Sequence, residues 1–167
     1  MLEATANLKH KLLMEIMYAS GLRVSEVIKL KIKDIDLAEG IIRVNLGKEK
    51  KDRKTILSKR AIEDLKTFLE TREDDNQYLF TGAQNKGYLS TRSAQKIVLQ
   101  AAKLAGIKKD ISCHNLRHSF ATHLLEKGVD IRYIQKLLGH KRLETTQLYT
   151  QVSTQKLKEI SSPLDDL

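Results

Sequence analysis

Apolar residues fall at Leu8, Leu12, Leu13, Ile16 and Met17, the spacing of one helical face, and Gly21 closes that run. A second, short helix is expected through Val24, Val27, Ile28 and Leu30, with Arg23 at its start. The period then changes to two. Ile41-Ile42-Arg43-Val44-Asn45-Leu46 alternates as a strand does, residues 53–57 offer a partner, and the polar segment 47–52 lies between them. This pattern predicts a β-hairpin with a lysine-rich tip, and residues 34–37 are expected to add a third short strand.

Helical spacing returns at Ser58, the expected cap of a helix reaching about residue 71 with Ile62, Leu65, Phe68 and Leu69 inward. The polar stretch 72–77 interrupts the pattern before Tyr78-Leu79-Phe80. Thr91 opens a helix through Ile97, Val98, Ala101 and Leu104, closed by Gly106. Further helices are expected over 114–127, 130–138, 143–150 and 153–160, the last followed by a tail holding the single proline, Pro163. No internal repeat is visible. The expected class is α+β, mainly α, with one small antiparallel sheet.

A chain of 167 residues fits one compact domain, large enough to bury about two-thirds of its unfolded surface. Only 5% of residues are aromatic and none is Trp, so Leu, Ile and Val must build the core. No apolar run is long enough to suggest a membrane span, and the N-terminus is not signal-like. Cys113 is the sole cysteine, which excludes an internal disulfide and fits a cytoplasmic protein. The net charge of +9 favours a polyanionic partner, of which nucleic acid is the commonest. Its placement sharpens the point: residues 48–54 read KEKKDRK, and Lys108 and Lys109 precede His114.

Five residues carry candidate chemistry: Arg23, His114, Arg117, His140 and Tyr149. Two guanidiniums can grip a phosphodiester, an imidazole can move a proton, and a phenol can attack phosphorus. His114 and Arg117 are three apart on one helical face, with Leu116, Phe120 and Leu124 expected on the core side. His114 and His118 also have the i, i+4 spacing of zinc ligands, with Cys113 and His123 close in sequence. No HExxH or CxxC accompanies them, and Arg117 between them would repel a dication, so no metal is expected. Glu26, three after Arg23, is read as holding that arginine's fork, with a first-turn acid favoured by the helix dipole as the alternative.

The segments Gly21-Leu22-Arg23-Val24-Ser25-Glu26, 114–124 (HNLRHSFATHL) and Leu137-Leu138-Gly139-His140, followed by Tyr149, resemble the tyrosine recombinases, closest to the Xer and integrase branch. The resemblance runs from about residue 19 to residue 151. It implies the helical DNA breaking-rejoining fold and a site-specific recombinase that cuts and rejoins DNA without metal, ATP or any other cofactor. Arg23 and Arg117 would then hold the scissile phosphate, and Tyr149 would attack to give a 3′-phosphotyrosyl link. His114 would accept the phenol proton, and His140 would add a hydrogen bond to the phosphate. A hairpin lysine protonates the leaving 5′-oxygen in this family. Lys48 is the first choice, but the usual Gly-Lys-Gly-x-Lys is here Gly47-Lys48-Glu49-Lys50-Lys51, so Lys50 and Lys51 stay open for that role. Lys50, Lys51, Arg53, Lys108 and Lys109 are the candidate DNA contacts.

The expected organisation is a catalytic domain over 1–152 and a C-terminal helix and tail over 153–167. The separate N-terminal clamp domain usual in such recombinases is missing from this sequence, which favours a catalytic fragment over a minimal protein. The resemblance further implies double-stranded DNA as partner and a homotetramer on DNA that exchanges C-terminal helices, with a monomer expected otherwise. Docking of that helix onto its own domain is the alternative. Two other functions share parts of the pattern: a type IB topoisomerase that relaxes DNA, and a DNA-binding module with a silent active site.

Overall fold

A computed structural model describes residues 1–45, 52–140 and 146. Asn7 starts the first helix by accepting from the His10 N–H at 3.0 Å, and α1 (Leu8–Ser20) ends at Gly21, which adopts a left-handed φ of +61°. Sequence periodicity gave α1 one buried face. Instead every residue from Leu12 to Met17 is buried, Glu15 included, because α3, α4 and α5 all pack against this helix. It is the central element of the fold.

A single turn, α2 (Val24–Val27), follows with Arg23 at its N-cap. The sheet then forms from β1 (Ile35–Asp36), β2 (Ile41–Val44) and β3 (Arg53–Ile56), all antiparallel in the order β1-β2-β3. Ile42 pairs with Thr55 and Val44 with Arg53, so these four side chains share the inner face. Lys54 and Ile56 face outward. The Thr55 hydroxyl donates to the Ser20 carbonyl at 2.7 Å and fastens the sheet to the end of α1.

Three more helices are opened by side-chain caps, of which only Ser58 was expected. Ser58 accepts from the Ala61 N–H to open α3 (Lys59–Glu70), and Ser90 accepts from Ser93 N–H to open α4 (Thr91–Leu104). Asp130 does the same for α6 (Ile131–Leu138) through Arg132 N–H. Between α4 and α6 lies α5 (Cys113–Glu126), where the Ser112 backbone N–H and hydroxyl both donate to the Asn115 side chain. The segment between α3 and α4 is tied to the chain after α2 by an isolated bridge from Lys31 to Tyr78 and closed on itself by another from Thr81 to Tyr88, and its Leu79 and Phe80 are completely buried.

Two apolar clusters result. The larger unites α1 to α4 with the sheet, and the smaller joins Phe120 and Ala121 of α5 to Ile134 and Leu138 of α6. Gly21 sits between them. Among the described residues no helix is long and apolar enough to cross a membrane. The expected hairpin tip, the helix over 153–160 and all of the 143–150 helix except Thr146 lie outside the described residues.

Candidate active site

Chain elements distant in sequence meet where α1 ends and α2 begins. Arg23 caps α2, Glu26 lies one turn along it, Arg53 begins β3, Arg117 comes from the middle of α5, and His140 follows the C-cap of α6.

Glu26 is the hub. Its side chain is only 7% exposed, yet both oxygens accept hydrogen bonds. Arg53 donates to them in bidentate fashion, Nη1 to Oε1 and Nη2 to Oε2, each at 2.8 Å. Arg23 donates its backbone N–H to Oε2 at 2.8 Å and Nη1 to Oε1 at 3.0 Å. Arg117 Nη1 stands 4.0 Å from Oε2. Burial alone would raise the Glu26 carboxyl, but the hydrogen bonds from Arg53 and Arg23 and their charges hold it below the usual carboxylate range. Three guanidiniums therefore share one carboxylate, a surplus of two positive charges in a half-sheltered corner.

Arg117 is buried more deeply than its leucine neighbours Leu116 and Leu124, although the pattern had placed those on the core side. Its Nη1 donates to the Gly21 carbonyl, and its Nη2 donates to the Leu138 carbonyl at 2.8 Å and to His140 Nε2 at 3.0 Å. Because a guanidinium can only donate, His140 Nε2 must carry a lone pair. A neutral ring then has its proton on Nδ1, which donates to the hydroxyl of the fully buried Thr146 at 2.9 Å. Burial, reinforced by the charges of Arg117, Arg23 and Arg53 and by His114, pushes the imidazole down to about 4. The ring thus meets Arg117 as an acceptor.

The other expected residues fall into three groups. His114 is exposed at the start of α5, and Lys108 and Lys109 are exposed in the preceding loop. Arg53, expected to contact DNA, points inward, with its side chain 7% exposed and its fork held by Glu26. The reason is register, because Arg53 lies opposite inward-facing Val44. Lys48, Lys50, Lys51 and Tyr149 lie outside the described residues. Thr146 carried no signal in sequence, being an ordinary threonine six residues from its partner.

Cys113 is buried with its thiol pushed up to about 11, and His123 meets the Tyr18 hydroxyl at 2.8 Å. Among the described residues no three His, Cys, Asp or Glu side chains are grouped to hold a metal.

Comparison with known proteins decides the lineage. Residues 1–156 match the profile of the phage integrase family. The chain belongs to that family. It is 44% identical over 154 residues to tyrosine recombinase XerA of Pyrococcus furiosus, covering 91% of this chain and 53% of the relative. To tyrosine recombinase XerD of Staphylococcus epidermidis it is 40% identical over 158 residues, 91% and 53% of the two chains. A crystal structure of XerA recombinase superposes with a TM-score of 0.85 at 36% identity, covering 95% of this chain and 59% of that one. XerH site-specific recombinase bound to difH substrate in a pre-cleavage complex gives a TM-score of 0.79 at 34% identity, covering 95% and 49%. The chain spans about half the length of the curated relatives it matches.

Proposed function

We propose that this integrase-family chain is the catalytic domain of a tyrosine-type site-specific DNA recombinase, which cuts and rejoins double-stranded DNA through a 3′-phosphotyrosyl link. The observation that carries this reading is the arginine cluster around Glu26, with its surplus of two positive charges. A phosphodiester brings one negative charge, and attack at phosphorus places a second on the non-bridging oxygens. A preorganised double positive surplus suits that pentacoordinate state better than the ground state, which is what catalysis requires.

Arg23, 42% exposed, presents its fork to the phosphate, and Arg117 supports it from the buried side. Tyr149 attacks phosphorus, and exposed His114 accepts its proton, since a phenol with a pKa of about 10 is mostly protonated at neutral pH. Lys48 protonates the departing 5′-oxygen, with Lys50 and Lys51 as alternative donors. Lys50, Lys51, Lys108 and Lys109 contact flanking phosphates. The phosphotyrosyl bond conserves the energy of the phosphodiester, so the 5′-hydroxyl of a second strand reverses the attack without ATP or metal. The segment 153–167, with Val152 just before it and with Leu157 and Ile160, supplies subunit contacts in a homotetramer on DNA.

A nicked suicide substrate, followed by denaturing electrophoresis, tests this reading. The wild type is expected to trap a covalent 3′ adduct and Tyr149→Phe to trap none. Adduct that survives the substitution refutes Tyr149 as nucleophile, and relaxation of supercoils without sequence preference points to a topoisomerase.

A further inference from the structure

We infer that Arg53 is a positioning residue for phosphate activation: it locks the Glu26 carboxylate, and through it the Arg23 fork, to the end of α6 that carries His140. The inference rests on the recombinase reading above and assigns Arg53 a task inside the protein.

Its guanidinium has no spare edge for a long reach to DNA. Nη1 and Nη2 hold the two Glu26 oxygens at 2.8 Å, and Nε donates to the Leu137 carbonyl at 2.8 Å. Leu137 and Leu138 are the last residues of α6, whose carbonyls have no partner within the helix. Arg53 takes the first and Arg117 the second. Consecutive orphan carbonyls at the negative end of the helix dipole thus anchor two arginines of the cluster.

Gly139 shows how closely these parts are fitted. A Cβ there would lie 2.7 Å from Arg53 Cδ and 3.1 Å from Nε, and the residue has a φ of +66°. The backbone that turns toward His140 therefore rests on the Arg53 stem. His140 Nε2 in turn meets Arg117 Nη2 at 3.0 Å. Without Arg53, Glu26 would keep the backbone N–H and the partly exposed fork of Arg23 as its direct donors, but the bidentate grip on both oxygens and the tie from that carboxylate to the Leu137 carbonyl would be lost. Lysine cannot replace the arginine, because one ammonium on a flexible stem does not span two carboxylate oxygens and a carbonyl.

Single-turnover adduct formation on the nicked substrate tests the inference. Without adduct from the wild type, the recombinase reading falls and this one with it. Given a working wild type, Arg53→Lys and Arg53→Met are expected to form adduct roughly tenfold or more slowly at saturating DNA. Affinity for uncleaved DNA should stay within about threefold, because no phosphate contact is removed. Adding Glu26→Gln to Arg53→Met should slow the reaction far less than the two separate losses combined. A substrate with a 5′-thiol leaving group, which needs no protonation, should leave the Arg53 defect in place. Four results overturn the inference: wild-type cleavage rates in Arg53→Lys, loss confined to DNA affinity, rescue by the thiol substrate, or circular dichroism showing both Arg53 variants unfolded.

Discussion

Two hydrogen bonds fix the protonation state of His140. Arg117 occupies the Nε2 lone pair and Thr146 receives the Nδ1 proton, so a second proton could enter only by breaking the bond to Arg117. The ordinary imidazole value is 6.5, and here it is about 4. Between those values an unfolded chain binds a proton that the folded protein refuses, so stability falls as pH drops from about 6.5 toward 4. Carboxyls add their own pH dependence: burial, reinforced by Asp64, pushes Glu15 up, and the arginines around Glu26 hold it down against its burial. The relevant quantity is therefore a difference. Wild type is expected to lose urea resistance between pH 7 and pH 5 more steeply than His140→Gln, and the ring carbons of His140 should titrate near pH 4 by NMR. A midpoint near 6.5 would mean that the Arg117 bond does not persist in solution.

The joint between α1, α5 and α6 is built on Gly21. Its φ of +61° suits glycine, and a Cβ there would stand 2.4 Å from Phe120 Cδ1 and 2.9 Å from Leu138 Cδ2. The same residue offers its carbonyl to Arg117, so packing and active-site geometry share one position. Gly21→Ala is expected to cost about 2–4 kcal/mol, from backbone strain plus overpacking, measured as a lowered urea midpoint with an unchanged slope. Sequence foretold this joint in part: the glycine after a periodic run marked the end of α1, and the cap expected at Ser58 falls where α3 begins. Burial around α1 could not be read, because a helix enclosed on several sides lacks a polar face to reveal its neighbours. Arg53 looked like a DNA contact because its neighbours are lysines. Pairing the strands would have turned it inward, since residues opposite Ile42 and Val44 must share their face. Thr146 depended on tertiary contact alone.

Across the whole molecule, charge is arranged so that fixed cations continue away from Arg23. A cavity of about 520 Å³ beside Glu26 is lined by Lys29, Lys31, Lys33 and Arg43, with Asp34 as its main remaining acid. Two of these ammoniums are held against rings, Lys29 at 5.5 Å from the centre of Tyr88 and Lys31 at 5.6 Å from Tyr78. Together with the net charge of +9, this surface should draw a polyanion mainly by releasing its counterions. Affinity for uncleaved duplex DNA is therefore expected to fall linearly with salt on a log–log plot, by a slope of about 0.9 for each phosphate neutralised. Replacing Lys29 and Lys33 together by Gln should flatten that slope by about one to two, whereas Arg53→Met should leave it unchanged, because its charge is already spent on Glu26. Fluorescence anisotropy at several salt concentrations separates the two cases. Equal flattening by both variants would place Arg53 on the DNA after all.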